Sequence, residues 1–138
     1  MLAEPTPTWL TQPYWDATAR HILIRPKCSA CGTSFFSPQI ACPKCTSEKW
    51  TWEESSGRGE IYSAATVHKP PHPGIEVPYV FAVVRMDEGW NILTNIVRCK
   101  PEEASIGRRV KVNWDRKIGN FVIPCFELDH DATAGGKR

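Results

Sequence analysis

Four cysteines in two CxxC pairs are the residues of this chain best suited to chemistry. The pairs are Cys28 with Cys31 and Cys42 with Cys45, separated by ten residues. Each CxxC turn directs two sulfurs to one point, and the intervening stretch is long enough to return as a hairpin. Four thiolates at about 2.3 Å in tetrahedral geometry are the ligands that Zn²⁺ prefers. Because four thiolates leave no position for water, the spacing predicts a structural zinc ion and no catalytic metal.

Other interpretations of the cysteines remain open. Iron in a rubredoxin-like site uses the same ligand geometry, and the spacing does not distinguish the two metals. Two disulfides would suit a secreted protein, but the segment that starts at Met1 has neither the basic nor the apolar region of a signal peptide. A redox CxxC would begin a helix in a βαβ unit, and no such pattern surrounds these pairs. We therefore expect a reduced, cytoplasmic protein. Cys99 and Cys125 lie in or beside apolar strands and are expected to be inert thiols.

The amino-acid composition limits the classes of function that this chain can have. The chain has 138 residues, a net charge of +2 and 41% hydrophobic residues, which suits one ordinary domain or a small domain with an appendage. No apolar run approaches the roughly 18 residues of a membrane span. Lys and Arg are mixed with Asp and Glu, whereas a nucleic-acid binder usually has a basic stripe. Twelve prolines and six tryptophans indicate stiff loops and large apolar contact surfaces, some of which face a partner.

An aromatic-rich N-terminal arm, residues 1–25, precedes the cysteines. A short helix is predicted from Gln12, since proline suits the first helical turn. Trp9, Tyr14 and Trp15 are a large apolar load for this arm. Two roles remain open for them: to cover the core of the same domain, or to dock onto another subunit.

A zinc ribbon is predicted at residues 26–54, between a strand at 21–25 and a strand at 50–53. The segment buries few residues, so the metal must supply much of its stability. A hinge at 55–59 separates the ribbon from the rest of the chain.

Five strand-like runs follow the hinge, at residues 59–68, 79–86, 91–97, 109–115 and 120–128. A single helical turn is predicted at 101–105, before the fourth run. This layout is typical of a five-stranded OB-fold barrel, which we place at 55–129. Pro124 lies inside the last run, which indicates an edge or bulged position. The Gly-rich tail, residues 130–138, is predicted to be disordered. The fold class is therefore mainly β, with a short N-terminal helix, a rubredoxin-like zinc ribbon and a C-terminal barrel.

Several motifs occur together in this chain, and the most specific is a Gly-Arg-Gly hinge followed by a His-Lys-Pro-Pro-His-Pro-Gly loop. The motifs are Pro13–Ala17, Cys28–Gly32, Cys42–Cys45, Ser56–Ser63, Val67–Gly74, Pro78–Val80, Leu93–Val97 and Ile106–Gly107. Over most of residues 12–128 they resemble a known family, the zinc-ribbon and OB-fold proteins associated with acyl-CoA metabolism (domain of unknown function 35, DUF35).

The resemblance implies an accessory subunit with no catalytic residues of its own. Members of the family associate with thiolase-fold enzymes (thiolases, acyltransferases and retro-aldol lyases), and the accessory subunit helps to form the CoA-thioester site. For this chain it implies a thiolase-fold catalytic subunit in a heterotetramer, with acyl-CoA bound at a shared site. The alternative partner is a MaoC-like enoyl-CoA hydratase. An alternative of another class is a single-stranded nucleic-acid-binding OB-fold protein, which the near-neutral charge disfavours.

The loop formed by His68, Lys69, Pro70, Pro71 and His72 is the candidate contact with acyl-CoA or with the partner. Its prolines reduce the entropy lost on docking, although an ordinary surface loop explains the same residues. The two histidines would lie roughly 13 Å apart in an extended chain, so we do not expect them to share a metal. CoA phosphates require cations, and the sequence does not select among the candidates, which are Lys69, Arg85, Arg98, Arg108 and Arg109.

Overall fold

The computed structural model describes residues 3–130, and the predicted tail at 130–138 lies outside the described residues except for His130. One short helix and seven strands occur in the order α1 (Gln12–Ala19), β1 (Ile24–Cys28), β2 (Trp50–Glu54), β3 (Arg58–Val67), β4 (Tyr79–Met86), β5 (Asn91–Val97), β6 (Arg109–Ile118) and β7 (Phe121–Leu128). A 3-10 helix, Pro101–Glu103, lies between β5 and β6. The predicted mainly β class with a short N-terminal helix is confirmed.

Helix α1 packs on the rest of the chain through one face. Pro13 lies in its first turn, and the buried residues of the helix are Tyr14, Ala17 and Thr18. Eight residues are too few to form a stable helix in water, so this burial must supply the stability. The strand predicted at 21–25 begins only at Ile24, because His21 has a φ of 61° and closes a turn after the helix.

The first sheet is a two-stranded antiparallel ribbon made of β1 and β2. Its register pairs Ile24 with Glu54 and Cys28 with Trp50. An additional bridge joins Lys27 to Ser34, so the segment between the CxxC pairs returns along β1. The ribbon therefore holds the first CxxC pair at one of its ends.

The other five strands form a closed barrel in the order β3-β4-β5-β7-β6. Only the β5–β7 pair is parallel. This order, with a short helix before the fourth barrel strand, is that of an OB-fold, so the predicted barrel is confirmed. Alternate side chains fill the interior, and Ile61, Val84, Val110 and Phe126 have no exposed area. Pro124 lies opposite a register shift in β6, between Asn113 and Arg116, as its position predicted.

An aromatic cluster joins the helix, the ribbon and the barrel. The Tyr14 ring centroid lies 5.3 Å from that of Phe36, which in turn lies 5.5 Å from Trp90 on the barrel. Trp52 of β2 approaches Tyr14 to 6.3 Å, and Trp15 meets Phe121 edge-on at 5.5 Å. These separations fall in the range where aromatic pairs add about 0.5–1.5 kcal/mol beyond burial. The three parts therefore share one hydrophobic core.

The hinge between ribbon and barrel is held by Glu88 from the β4–β5 turn. Its carboxylate accepts hydrogen bonds from the Ser55 hydroxyl at 2.8 Å, the Ser56 backbone N–H at 2.6 Å and Trp90 Nε1–H at 3.1 Å. Gly59 is required nearby, because a Cβ atom there would lie 2.4 Å from the carbonyl oxygen of Arg85. The conformation of the Gly-Arg-Gly segment is thus fixed by its contacts with β4 and the turn after it.

Within residues 3–130 no helix is long and apolar enough to cross a membrane.

We predict that Glu88→Gln makes the protein less stable at pH 7 by about 1–2 kcal/mol, because the amide keeps one acceptor oxygen for three donors, of which Ser55 is half-buried and Trp90 is buried. Partial burial opposes ionisation of Glu88, but the hydrogen bonds from Ser56, Ser55 and Trp90 outweigh it and hold its pKa below the usual value. The Glu88 carboxylate therefore stabilises the folded protein above its unfolded-state pKa, and this stabilisation is lost as the pH falls through its folded-state pKa.

Urea unfolding of the two proteins from pH 7 to pH 3 measures this difference. The difference in free energy of unfolding between wild type and Glu88→Gln should become smaller at acid pH. The control Glu102→Gln, on the exposed 3-10 helix, should have the same free energy of unfolding as wild type at every pH. A difference in free energy of unfolding that does not change with pH would contradict the role assigned to the Glu88 carboxylate.

Candidate metal centre and interaction surfaces

The four CxxC sulfurs converge on one point. All lie within 4.8 Å of one another, with 3.6 Å between the sulfurs of Cys28 and Cys45 and 3.8 Å between those of Cys31 and Cys42. A tetrahedral ion with Zn–S bonds of about 2.3 Å requires sulfur–sulfur separations of about 3.8 Å. Disulfide bonds would be near 2.05 Å, so the separations fit a shared metal and not two disulfides.

The two CxxC turns have the same backbone design. In the first, the Cys28 carbonyl accepts from Gly32 N–H at 2.9 Å, and the Cys28 sulfur accepts from Ala30 N–H at 3.3 Å. In the second, Cys42 receives the equivalent bonds from Thr46 at 2.9 Å and Lys44 at 3.4 Å. Amide hydrogen bonds to sulfur stabilise the thiolate, so each turn is preorganised for a metal ligand.

Ionisation of one of the four thiols affects the pKa values of its neighbours. Hydrogen bonds from the Thr33 hydroxyl and backbone N–H lower the pKa of Cys31 to about 6. The backbone N–H of Ser47 favours the Cys45 thiolate. Hydrogen bonds with the other three thiols, of which the bond with Cys28 has the largest effect, act in the opposite direction and raise the pKa of Cys45 to about 11. A divalent cation allows all four sulfurs to ionise together, so metal binding and thiol deprotonation are coupled.

The aromatic residues of the arm are divided between the core and the surface. Tyr14 is only 7% exposed, and its burial raises the pKa of its phenol. Trp9 is 78% exposed, whereas Trp15 is half-buried against Phe121. The side chain of Tyr14 therefore serves this chain's own core, whereas Trp9 and the open side of Trp15 remain accessible to another molecule.

The predicted loop is exposed throughout, from His68 to His72. His72 is used locally, since its Nδ1 accepts from Gly74 N–H at 3.0 Å. The continuation of the loop, residues 74–79, forms one wall of a cleft of about 710 Å³. The opposite walls come from β4, β5 and the end of β6, and the cationic lining residues are Arg98 and Arg116.

The sequence did not identify Arg116 as a site residue. The predicted fourth strand ended at Asp115, but β6 continues to Ile118 beyond its bulge and carries Arg116 to the cleft, where its guanidinium donates to Asn95 at 3.1 Å. The sequence carries no periodic signal for this continuation, because residues 115–117 are three consecutive charged residues, Asp-Arg-Lys. Among the predicted cations, only Arg98 reaches the cleft, while Arg109 makes a bidentate ion pair with Asp87.

The two thiols outside the metal cluster are weakly acidic. Burial raises the pKa of Cys99, with a further rise from nearby Glu103, and burial also raises the pKa of Cys125. A nucleophilic cysteine needs a stabilised thiolate, so the surroundings of these two thiols favour the inert, protonated form.

We predict that Cys45→Ser removes the metal, because three thiolates and a hydroxyl hold zinc much more weakly than four thiolates. Metal analysis after dialysis against a chelator should show about one zinc per chain in wild type and far less in the variant. The control Cys99→Ser should keep its zinc, since Cys99 lies outside the cluster. Full zinc content in Cys45→Ser would exclude the four-sulfur site.

We also predict opposite effects at the two equivalent turn positions. Gly32 and Thr46 both have left-handed backbone, with φ of 78° and 67°. An added Cβ at Gly32 meets no atom within 4 Å, so Gly32→Ala tests the backbone alone and should lose about 1 kcal/mol of stability. Thr46→Gly should gain about 0.5–1 kcal/mol, because β-branched residues strongly disfavour this conformation. Thermal unfolding of the zinc-bound proteins measures both, and a loss of stability in both variants would contradict the prediction.

Comparison with known proteins identifies both parts of the chain. The family described as "ChsH2, rubredoxin-like zinc ribbon domain" matches residues 15–51, and "ChsH2, C-terminal OB-fold domain" matches residues 52–115. The first match and the convergence of the four thiols together confirm the predicted structural zinc site.

Three relatives extend these matches. A "DUF35 domain-containing scaffold protein" of Methanocaldococcus jannaschii is 39% identical over 100 residues, which cover 70% of each chain. A "Probable enoyl-CoA hydratase alpha subunit" of Thermomonospora curvata is 35% identical over 82% of this chain, which spans only 35% of that relative. The solved structure described as "Ltp2-ChsH2(DUF35) aldolase" contains a chain that is 33% identical, superimposes with a TM-score of 0.81, and matches 91% of this chain and 98% of its own length. The chain therefore belongs to the DUF35 family, with a ChsH2-type zinc ribbon followed by an OB-fold.

Proposed function

We propose that this chain is a non-catalytic, zinc-binding accessory subunit of an acyl-CoA-processing complex. Its partner is a thiolase-fold enzyme that forms or cleaves a carbon–carbon bond next to a CoA thioester. The observation that carries the proposal is the similarity over 91% of the chain to the DUF35 component of an aldolase whose name joins it to a second component, Ltp2. The name "scaffold protein" of the archaeal relatives supports the same role.

The chemistry of this chain supports placing the reactive groups on the partner. Four thiolates complete the coordination of the zinc, so the metal offers no position to a substrate. Cys99 and Cys125 are held in the protonated form by burial, which disfavours thioester exchange on either thiol. Reduced metal-binding thiols also suit the cytoplasm, where we place the complex.

The cleft is the proposed contribution of this subunit to a shared acyl-CoA site. Its cations, Arg98 and Arg116, are suited to phosphate groups of CoA, because guanidinium groups bind phosphate in a bidentate manner. The loop at residues 68–72 precedes the wall at 74–79, so partner contact with this loop would lie beside the ligand. We assign exposed Trp9 and half-buried Trp15 to the interface, in a heterotetramer with two copies of each subunit.

A MaoC-like enoyl-CoA hydratase is the second candidate partner. The Thermomonospora curvata relative favours it, since that protein is named a hydratase alpha subunit and extends well beyond the region shared with this chain. Nucleic-acid binding receives less support from the barrel surface. Arg109 and Arg58 are paired with Asp87 and Asp129 and are not arranged as free phosphate contacts.

Reconstitution with a purified catalytic subunit tests the proposal. Co-purification from the native host identifies the thiolase-fold or hydratase subunit, and both proteins are then produced recombinantly and mixed. We expect a stable complex in which the thiolase-fold subunit gains thioester turnover. Turnover of a CoA thioester by this chain alone, or no effect on either class of subunit, would contradict the accessory role.

Variants of the cleft test the shared site within that complex. The double change Arg98→Ala and Arg116→Ala should raise the KM for the CoA thioester by about tenfold or more while the complex still forms, because a charge-assisted hydrogen bond contributes about 1.5–3 kcal/mol. The matched control is Arg20→Ala, an exposed cation at the end of α1. Equal KM values in all three proteins would exclude the cleft as a phosphate site.

A further inference from the structure

Strand β3 continues beyond the point where the barrel closes. It pairs with β6 only through Arg58–Glu60. The last hydrogen bonds on that side join Ile61 to Arg108 and to Gly107, at 3.0 and 2.8 Å. Residues 63–67 pair along their other edge with β4, and no described residue of the chain forms a strand against the first edge of residues 62–67. One edge of this segment is therefore open.

The direction of the backbone groups of β4 follows from its pairing with β5. Met86 N–H donates to the Trp90 carbonyl at 2.7 Å, so Met86 directs its groups away from β3. Hydrogen-bonding groups alternate along a strand. Val83 and Phe81 therefore direct their N–H and C=O groups toward β3.

The same alternation defines what the open edge offers. Ser63 lies opposite Val83 and Ala65 lies opposite Phe81, so Ser63 and Ala65 are engaged with β4. Ala64 and Thr66 fall between them and direct their N–H and C=O groups to the open edge. The edge thus offers two donors and two acceptors with the spacing of an extended strand.

The composition of this edge leaves it unprotected. The sequence Tyr-Ser-Ala-Ala-Thr-Val at residues 62–67 contains no charge and no proline. Ser63, Ala64 and Ala65 are exposed and small on both faces of the strand. Natural edges usually carry lysine, proline or inward charges that prevent pairing. The bulge at Tyr62 lies at the start of the open segment and does not cover Ala64 or Thr66.

Apolar side chains surround the open edge. Tyr62 is 51% exposed, and Ile106 is 73% exposed on the loop whose Gly107 bonds to Ile61. Phe81, 45% exposed, lies beside Ala65 on β4. An added strand with apolar side chains would find contacts with Tyr62 and Ile106 at the first end of the edge.

We propose that this edge, residues 62–67, receives an extended segment of the catalytic subunit, which adds a strand to β3. This inference rests on the proposed function for the existence of that partner. Two outward-facing residues make too few contacts for a homodimer, since stable interfaces bury about 1,200–2,000 Å². As one element of a larger interface with the catalytic subunit, the same contacts fix the register between the two proteins.

Proline substitution at the edge tests the pairing directly. Thr66→Pro removes an outward N–H and leaves the N–H groups that bond to β4, and proline is tolerated at exposed strand edges. In the reconstituted complex it should raise the Kd by about tenfold or more, through the lost hydrogen bond and the blocked approach of the added strand. The matched control Thr66→Val keeps the N–H and should stay within about twofold of wild type. Zinc content and thermal unfolding of the free variants verify that they remain folded.

Amide exchange supplies an independent measurement. In the isolated chain the N–H groups of Ala64 and Thr66 should exchange fast, whereas that of Ala65 should be protected by β4. In the complex with the recombinant catalytic subunit, Ala64 and Thr66 should become protected as well.

The outcomes separate the two proposals. If Thr66→Pro binds the catalytic subunit as tightly as wild type does, the proposed strand addition at this edge is wrong and the accessory role stands. Slow amide exchange of Ala64 and Thr66 in the isolated chain would also contradict the proposed strand addition. If that protection depends on protein concentration, a second copy of the chain occupies the edge. If it does not, a segment of the same chain occupies the edge. Failure of wild type to bind either class of catalytic subunit overturns the accessory role and the inference together.

Discussion

The convergence of four sulfurs is the constraint on which the rest of the structure depends. Two CxxC turns with the same hydrogen bonds direct their thiols to one point, and only a cation allows the thiols to ionise together. The metal thereby closes a segment with few buried residues of its own. Closure places Phe36 and Trp52 against Tyr14 and Trp90 in the core shared with the barrel. The metal site thus determines how the helix, ribbon and barrel meet.

The barrel, by contrast, is stabilised by ordinary burial and by strand pairing. Its interior is filled by alternating apolar residues, and its strands close in the OB-fold order. The hinge to the ribbon is fixed by hydrogen bonds from Ser55, Ser56 and Trp90 to one carboxylate, Glu88. A rigid barrel with a fixed ribbon is a platform on which loops and edges can hold a defined position relative to another protein.

The features that remain available for function are suited to binding. The cleft carries guanidinium groups, the loop before it is stiffened by prolines, and among residues 3–130 no strand pairs with one edge of β3 at residues 62–67. The two thiols that do not bind the metal are kept protonated by burial. This distribution agrees with membership of a family whose archaeal members are named scaffold proteins. In our proposal, the partner supplies the reactive groups while this chain positions the partner and part of the ligand.

The sequence alone determined the features that depend on local spacing. The CxxC pairs predicted the metal ligands, because a short turn brings two sulfurs together without help from the fold. The strand-like runs at 79–86 and 91–97 predicted β4 and β5 at their observed bounds. Tertiary structure decided what depends on distant pairing. Arg116 reaches the cleft only because the β6–β7 hairpin continues past its bulge, and Tyr14 enters the core because the ribbon folds over it. The open edge of β3 exists because β6 pairs with only part of that strand, and the extent of pairing between distant segments is not encoded in the local pattern of either one.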